Sequence, residues 1–337
     1  MDALDGKQAR RTGTSSPLGQ LFDHGCDALA VHLIMQMLMP ALGLGHEWRA
    51  VAGMSYVLLP WWLAHWEEYH TGMMLYGNGL WGVTEACYAV VVVSFATAAA
   101  GPAAWARRPL GALLAPGAPA AAALPPRAAA ALAGLRGYDF FLVGFFCLGG
   151  NLVAQQVARV VRLAGSRQVA ASTMPRREQG AKQLGRAAAL SHLAQILATM
   201  GAGAALLLAL PAGPPAQSRA LFWTFGLNYA LQATRLMLAH MSKQPFSVAP
   251  WPLALIAAQL VNGRLQLVDA AALAQAARAL VALGYLHYVV SVVGEICAFF
   301  GIRALTIAPA AASAPPAKAA EGAPPTPRAL RSARRSG

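Results

Sequence analysis

Eight apolar runs, each close to the length of a bilayer crossing, constrain this chain more than any other feature. They cover about residues 18–44, 49–66, 83–101, 138–160, 187–210, 220–240, 248–263 and 277–300. A spanning helix needs roughly 20 mostly apolar residues. In hydrocarbon every backbone N–H and C=O must find its partner within the segment, so each run is expected to be helical. Composition agrees: 57% of the 337 residues are hydrophobic and only 12% are charged. That is about half the roughly 25% that coats a soluble domain. The expected fold class is all-α, a polytopic transmembrane helical bundle of about eight spans.

Between the third and fourth runs lies an Ala/Pro/Gly-rich segment, 102–137, and a similar Ala/Pro/Arg-rich tail follows residue 303. Both compositions predict weak order. The expected organisation is a membrane domain over 1–303, with 102–137 as a low-complexity loop, and a disordered tail over 304–337. The cysteines, Cys26, Cys87, Cys147 and Cys297, lie far apart in apolar runs, without zinc or disulfide spacing, and are expected to be buried thiols. Net charge is +13, from 26 basic against 13 acidic residues. On a chain with so little soluble sequence this points to contacts with membrane lipids and not to nucleic acid. If the sides alternate with each span, the side carrying residues 1–17 collects sixteen Lys and Arg and the other seven. The excess of Lys and Arg on cytosolic loops places the N-terminal side in the cytosol.

Aspartate is scarce, and four of the six fall within the first 27 residues. Asp2 and Asp5 are three apart and share a helix face; Asp23 and Asp27 are four apart and share another. The second pair stands at the edge of the first apolar run, where a charge is costly and marks a functional site by default. The residues themselves allow two readings. Carboxylates from two helix ends hold hard divalent cations, and two such ions clamp a diphosphate, with Arg10 adding donors to phosphate oxygens. Alternatively, Asp2 and Asp5 are solvated while Asp23 and Asp27 pair with Arg10 and Arg11. His24, beside Asp23, and Glu85, opening the third run, are either general-base candidates or ordinary helix-boundary residues. His65, Glu67, Glu68 and His70 are expected to be solvated at the interface, with Trp61, Trp62 and Trp66 in an aromatic belt.

Residues 5–27 read D-G-x2-A-R-x8-G-x3-D-x3-D, with Asp5, Gly6, Ala9, Arg10, Gly19, Asp23 and Asp27 in register. This resembles the signature of the CDP-alcohol phosphotransferase family, and Asp2 fits an additional aspartate three residues earlier. The strings FDHGCDA at 22–28, VTEACY at 83–88, LAHMSKQPF at 238–246 and YLHYVVSVVGEIC at 285–297 resemble its choline/ethanolaminephosphotransferase branch.

The resemblance implies transfer of phosphocholine or phosphoethanolamine from CDP-choline or CDP-ethanolamine to diacylglycerol, releasing CMP. It implies two Mg2+ or Mn2+ ions on Asp2, Asp5, Asp23 and Asp27, with Asp27 also a candidate base. Gly6, Ala9, Arg10 and Gly19 would bind the CDP-alcohol, while His24 and Glu85 activate the acceptor hydroxyl. It further implies an integral membrane enzyme of the endoplasmic reticulum or Golgi, its site facing the cytosol, and a homodimer. Two alternatives stand: a related transferase with another acceptor, or an inactive scaffold. Family members carry hydrophobic helices before the motif, so weak transfer is expected from a chain in which Met1 directly precedes Asp2.

Overall fold

The computed structural model describes residues 2–75, 77, 79, 81–165, 185–211, 213–304 and 306. Each of the eight apolar runs forms one helix. Helix α1 (Asp2–Thr12) precedes them, followed by α2 (Pro17–Ala41), α3 (Trp48–Thr71) and α4 (Val83–Ala100). Next come two short helices, α5 (Pro119–Ala122) and α6 (Pro126–Gly134), and then α7 (Gly137–Leu163), α8 (Arg186–Ala209), α9 (Pro215–Ser242), α10 (Pro250–Leu265) and α11 (Ala270–Phe300). Helices α4, α7, α8 and α11 are long and apolar enough to cross a membrane by length and composition. The chain is an all-α membrane protein.

Two compact units emerge: residues 1–14 with 291–337, and residues 15–290. The first contains α1, whose last turn carries Arg10 and Arg11, where their charge meets the carbonyl end of the helix favourably. In the second, α9 is the central element. It buries Phe225, Tyr229 and Leu231 together with Thr224, Asn228 and Gln232, and packs against α2, α3 and α8. Two glycines permit the close crossings. A Cβ at Gly226 would stand 2.1 Å from the His32 ring of α2, and one at Gly203 of α8 would stand 2.1 Å from Phe225. Small residues at such crossings let helix backbones approach.

Cross-helix contacts at opposite ends show that the helices of this unit alternate in direction. At one end His70 closes α3 beside His192 near the start of α8, 3.1 Å apart. There Tyr69 also donates to the Gln244 carbonyl, just beyond α9, at 2.9 Å. At the other end Arg49, opening α3, donates to Asp139, opening α7, at 2.7 Å. His46 bridges Ser218 at the start of α9 and the Leu207 carbonyl near the end of α8.

Several expectations are revised. The aromatic belt is not on the surface: Trp62 and Trp66 are fully buried, and Trp66 donates to the Ala189 carbonyl at 3.1 Å. His65, Glu67 and His70 are buried rather than solvated. Glu67, with no exposed surface, takes a forked hydrogen bond from Arg159 of α7. The reason is the location of α3, enclosed by α2, α7, α8 and α9. Hydropathy cannot separate a helix inside a bundle from one that faces lipid. The cysteines go the other way. Cys26, Cys87 and Cys147 are exposed and Cys297 is half-buried, because an apolar position on an outer helix turns toward lipid as readily as inward.

The 102–137 segment, expected to be weakly ordered, holds a 3-10 helix (Pro102–Ala106) besides α5 and α6. Trp105 fastens it, donating to the Thr97 hydroxyl at 2.8 Å, and the Gly137 N–H closes it on the Arg107 carbonyl at 3.0 Å. Nearly all of the 304–337 tail and residues 166–184 lie outside the described residues.

Candidate active site

The motif is divided between two helices. On α1, the absent side chain at Gly6 leaves space that Arg10 uses: a Cβ there would be 3.4 Å from the guanidinium Nη1. Arg10 itself is exposed and Ala9 half-buried. The backbone places positions 2 and 5 one turn apart on α1, while the Asp2 and Asp5 side chains lie outside the described part of the structure.

Helix α2 begins with a built N-terminus. Ser16 holds an extended backbone and its hydroxyl accepts from the Gly19 N–H at 3.0 Å, while Pro17 occupies the first helical position, where no N–H is needed. Gly19 thus belongs to the cap, and a Cβ there would touch the Ser16 hydroxyl at 3.4 Å. One turn on comes Asp23 and another turn on Asp27, both half-buried. The Asp23 carboxylate lies 4.0 Å from His24 Nε2, and its side chain is 37% exposed against 17% for His24. Hard carboxylate oxygens with this much access suit a divalent cation. Among the described residues no group of three or more His, Cys, Asp and Glu is arranged to hold a metal ion.

The structure surrounds His24 with residues that the sequence did not single out together. Its ring meets that of His65 on α3, with centroids 5.1 Å apart and a tilt of 52°. His65 lies edge-on to Trp61 at 4.4 Å. Glu68, one turn along, places one carboxylate oxygen 3.8 Å from His65 and the other 3.8 Å from His240 at the end of α9. Tyr229, fully buried on α9, stands edge-on to Trp61 and Trp62, with centroids 6.1 and 5.7 Å away. His65 and Glu68 are three apart, and this was the readable signal. No local pattern could reveal that their face turns inward or that His240 meets them.

Trp61 also lines an apolar cavity of about 130 Å3. Its wall comes from α2 (Val31, Ile34), α3 (Val57), the start of α4 (Val83, Ala86) and α7 (Phe145). Glu85, between two of those wall residues, is exposed in the first turn of α4, where its charge meets the amide end of the helix favourably. The site region of residues 15–290 thus joins a carboxylate pair and a histidine at one helix start to an apolar chamber. The connection runs through His65 and Trp61.

Comparison with known proteins adds a specific match. Residues 1–107 match the model of the CDP-alcohol phosphatidyltransferase family. That segment is similar to this family. An uncharacterized CDP-alcohol phosphatidyltransferase class-I family protein 3 of Dictyostelium discoideum is 44% identical over 110 residues, covering 32% of this chain and 27% of that protein. Cholinephosphotransferase 1 of Gallus gallus is 39% identical over 106 residues, covering 31% of each chain. The Homo sapiens cholinephosphotransferase 1 is 39% identical over 108 residues, covering 31% of this chain and 26% of its own. The matched stretch therefore spans less than a third of each of these relatives. Residues 1–107 hold the whole of the motif, His24, His65, Glu68 and Glu85.

Proposed function

We propose that the protein is a phospholipid-synthesising transferase that moves phosphocholine or phosphoethanolamine from a CDP-alcohol to diacylglycerol. The observation that carries this reading is the placement of Asp23, His24 and Asp27 on one helix start whose neighbours lead directly to an apolar chamber. A transferase of this class must bring a polar nucleotide and a lipid hydroxyl to one point, and these two environments meet here. The similarity to cholinephosphotransferases favours choline as the headgroup.

In the reaction, the diacylglycerol hydroxyl oxygen attacks the phosphorus that carries the alcohol. His24, or Asp27 one turn below, takes the hydroxyl proton as the new P–O bond forms. The bond from that phosphorus to the bridging oxygen breaks, and CMP leaves with both electrons. Arg10 offers a planar fork of donors to phosphate oxygens. Gly6 and Gly19 let the backbone come close to the nucleotide. The apolar chamber takes acyl chain and excludes water, which would otherwise compete as acceptor. Enzymes of the family are generally divalent-metal dependent. Asp23 and Asp27, with Asp2 and Asp5 from the motif, would hold two Mg2+ or Mn2+ ions. These would neutralise charge on the phosphates.

The basic residues on the N-terminal side support an orientation with this site in the cytosol, and phospholipid synthesis of this kind suits the endoplasmic reticulum. A homodimer is part of the same reading. The test is to give microsomes bearing the chain labelled CDP-choline or CDP-ethanolamine with diacylglycerol, with and without magnesium. Labelled phosphatidylcholine or phosphatidylethanolamine together with CMP is expected, and the absence of both products with either donor would overturn the reading.

A further inference from the structure

His65 is 1% exposed, and neither of its ring nitrogens has a hydrogen-bond partner among the described residues. A buried polar group left this way is uncommon and costs stability, which a hydrocarbon side chain of similar size would not. The position of the ring gives the cost a purpose. It is gripped between Trp61 at 4.4 Å and the ring of His24 at 5.1 Å. The Glu68 carboxylate stands 3.8 Å behind it. Glu68 is not free to turn away, because its second oxygen faces His240 at 3.8 Å. Both Glu68 gaps exceed a hydrogen bond by only about 1 Å. Small rotations of the Glu68 and His240 side chains would connect His240 to His65, beside whose ring that of His24 stands.

We propose that His65 is a positioning residue for the transfer reaction, holding the His24 ring toward the acceptor chamber while Glu68 and His240 brace it from behind. The inference rests on the transferase reading above. The chemistry is that of an oriented base. With the Glu68 carboxylate on Nδ1, the imidazole carries its proton there, and the other ring nitrogen becomes an acceptor for an N–H of His24. His24 is then fixed in one tautomer and one rotamer. Without the brace, the His24 ring loses its contact with the His65 ring and the orientation that contact sets. Misplacement by about 1 Å can cost roughly a hundredfold in rate.

The test uses the full chain in microsomes with labelled CDP-choline and diacylglycerol. His65→Ala should lower kcat by ten- to a hundredfold and leave KM for CDP-choline within about threefold. His65→Gln, which keeps hydrogen-bonding atoms at that place, should recover most of the rate, whereas His65→Phe, which fills the space without them, should not. In a His24→Ala background, His65→Ala should cause no further loss, since its effect passes through His24. A merely structural role for His65 would slow both backgrounds alike. If His65→Ala elutes as aggregate in detergent, the Phe and Gln pair carries the comparison. A folded His65→Phe or His65→Ala variant with wild-type kcat, or an equal loss in both backgrounds, overturns the proposal alone. An unmutated chain with no transfer overturns the functional reading and this inference with it.

Discussion

The Glu67–Arg159 pair joins α3 to α7 and offers an asymmetric test of the bundle. Glu67 has no exposed surface, while the Arg159 side chain keeps 19% of its own. Two hydrogen bonds connect them, the second between Arg159 Nη2 and Glu67 Oε2 at 3.0 Å. Removing one partner of a buried pair costs about 3–5 kcal/mol, because the other charge stays buried and alone. Arg159→Met leaves the carboxylate in that state and should fall in this range. Glu67→Gln leaves a guanidinium that still reaches the surface along its own stem, so the cost should be smaller, about 1–3 kcal/mol. The double variant Glu67→Met with Arg159→Met removes both charges and keeps the volume, and should return close to the unmutated chain. Thermal midpoints in detergent, read as loss of the monodisperse peak on size exclusion, should rank Arg159→Met lowest, Glu67→Gln between, and the double variant near the original. A double variant as unstable as Arg159→Met would refute the claim that the stranded carboxylate is the damage.

Three further outcomes follow from the same geometry. Gly226→Ala puts a methyl 2.1 Å from the His32 ring and should cost about 1–3 kcal/mol, with His32→Ala restoring the thermal midpoint. Trp66→Phe removes the 3.1 Å bond to the Ala189 carbonyl and leaves that oxygen buried, which should cost about 1–2 kcal/mol in the same measurement. An N-glycosylation acceptor inserted at Gly117, between the 3-10 helix and α5, should be modified if this segment faces the lumen as the basic-residue balance predicts; an unmodified acceptor there together with a modified one before α2 would invert the orientation.

Much of this architecture was legible in the sequence because the bilayer imposes a simple length rule. Every apolar run became a helix; the last begins at Ala270 and not at 277, and the other bounds moved by about five residues or fewer. The carboxylate positions were legible because helical spacing alone puts Asp23 and Asp27 on one face. What hydropathy could not resolve was the facing of each helix. Trp62, Trp66 and Glu67 sit at the end of an apolar run, where sequence pattern favours the membrane interface. Only the enclosure of α3 by four other helices turns them into core residues. The same blindness hid His65. Its neighbour His24 belongs to a different helix, and His240 lies far along the chain. No spacing rule connects three residues that are brought together by tertiary packing alone.

In the proposed reaction the carboxylates of α2 serve phosphoryl transfer to a lipid hydroxyl. The most direct measurement is the rate of labelled phosphatidylcholine formation from CDP-choline and diacylglycerol by the unmutated chain and by Asp27→Asn, at saturating magnesium and after chelation. Membrane insertion is verified in parallel. Magnesium-dependent product with matching CMP is expected from the unmutated chain, and loss by at least about a hundredfold in Asp27→Asn, whose protein level stays normal. Product formation that survives both chelation and Asp27→Asn would contradict it.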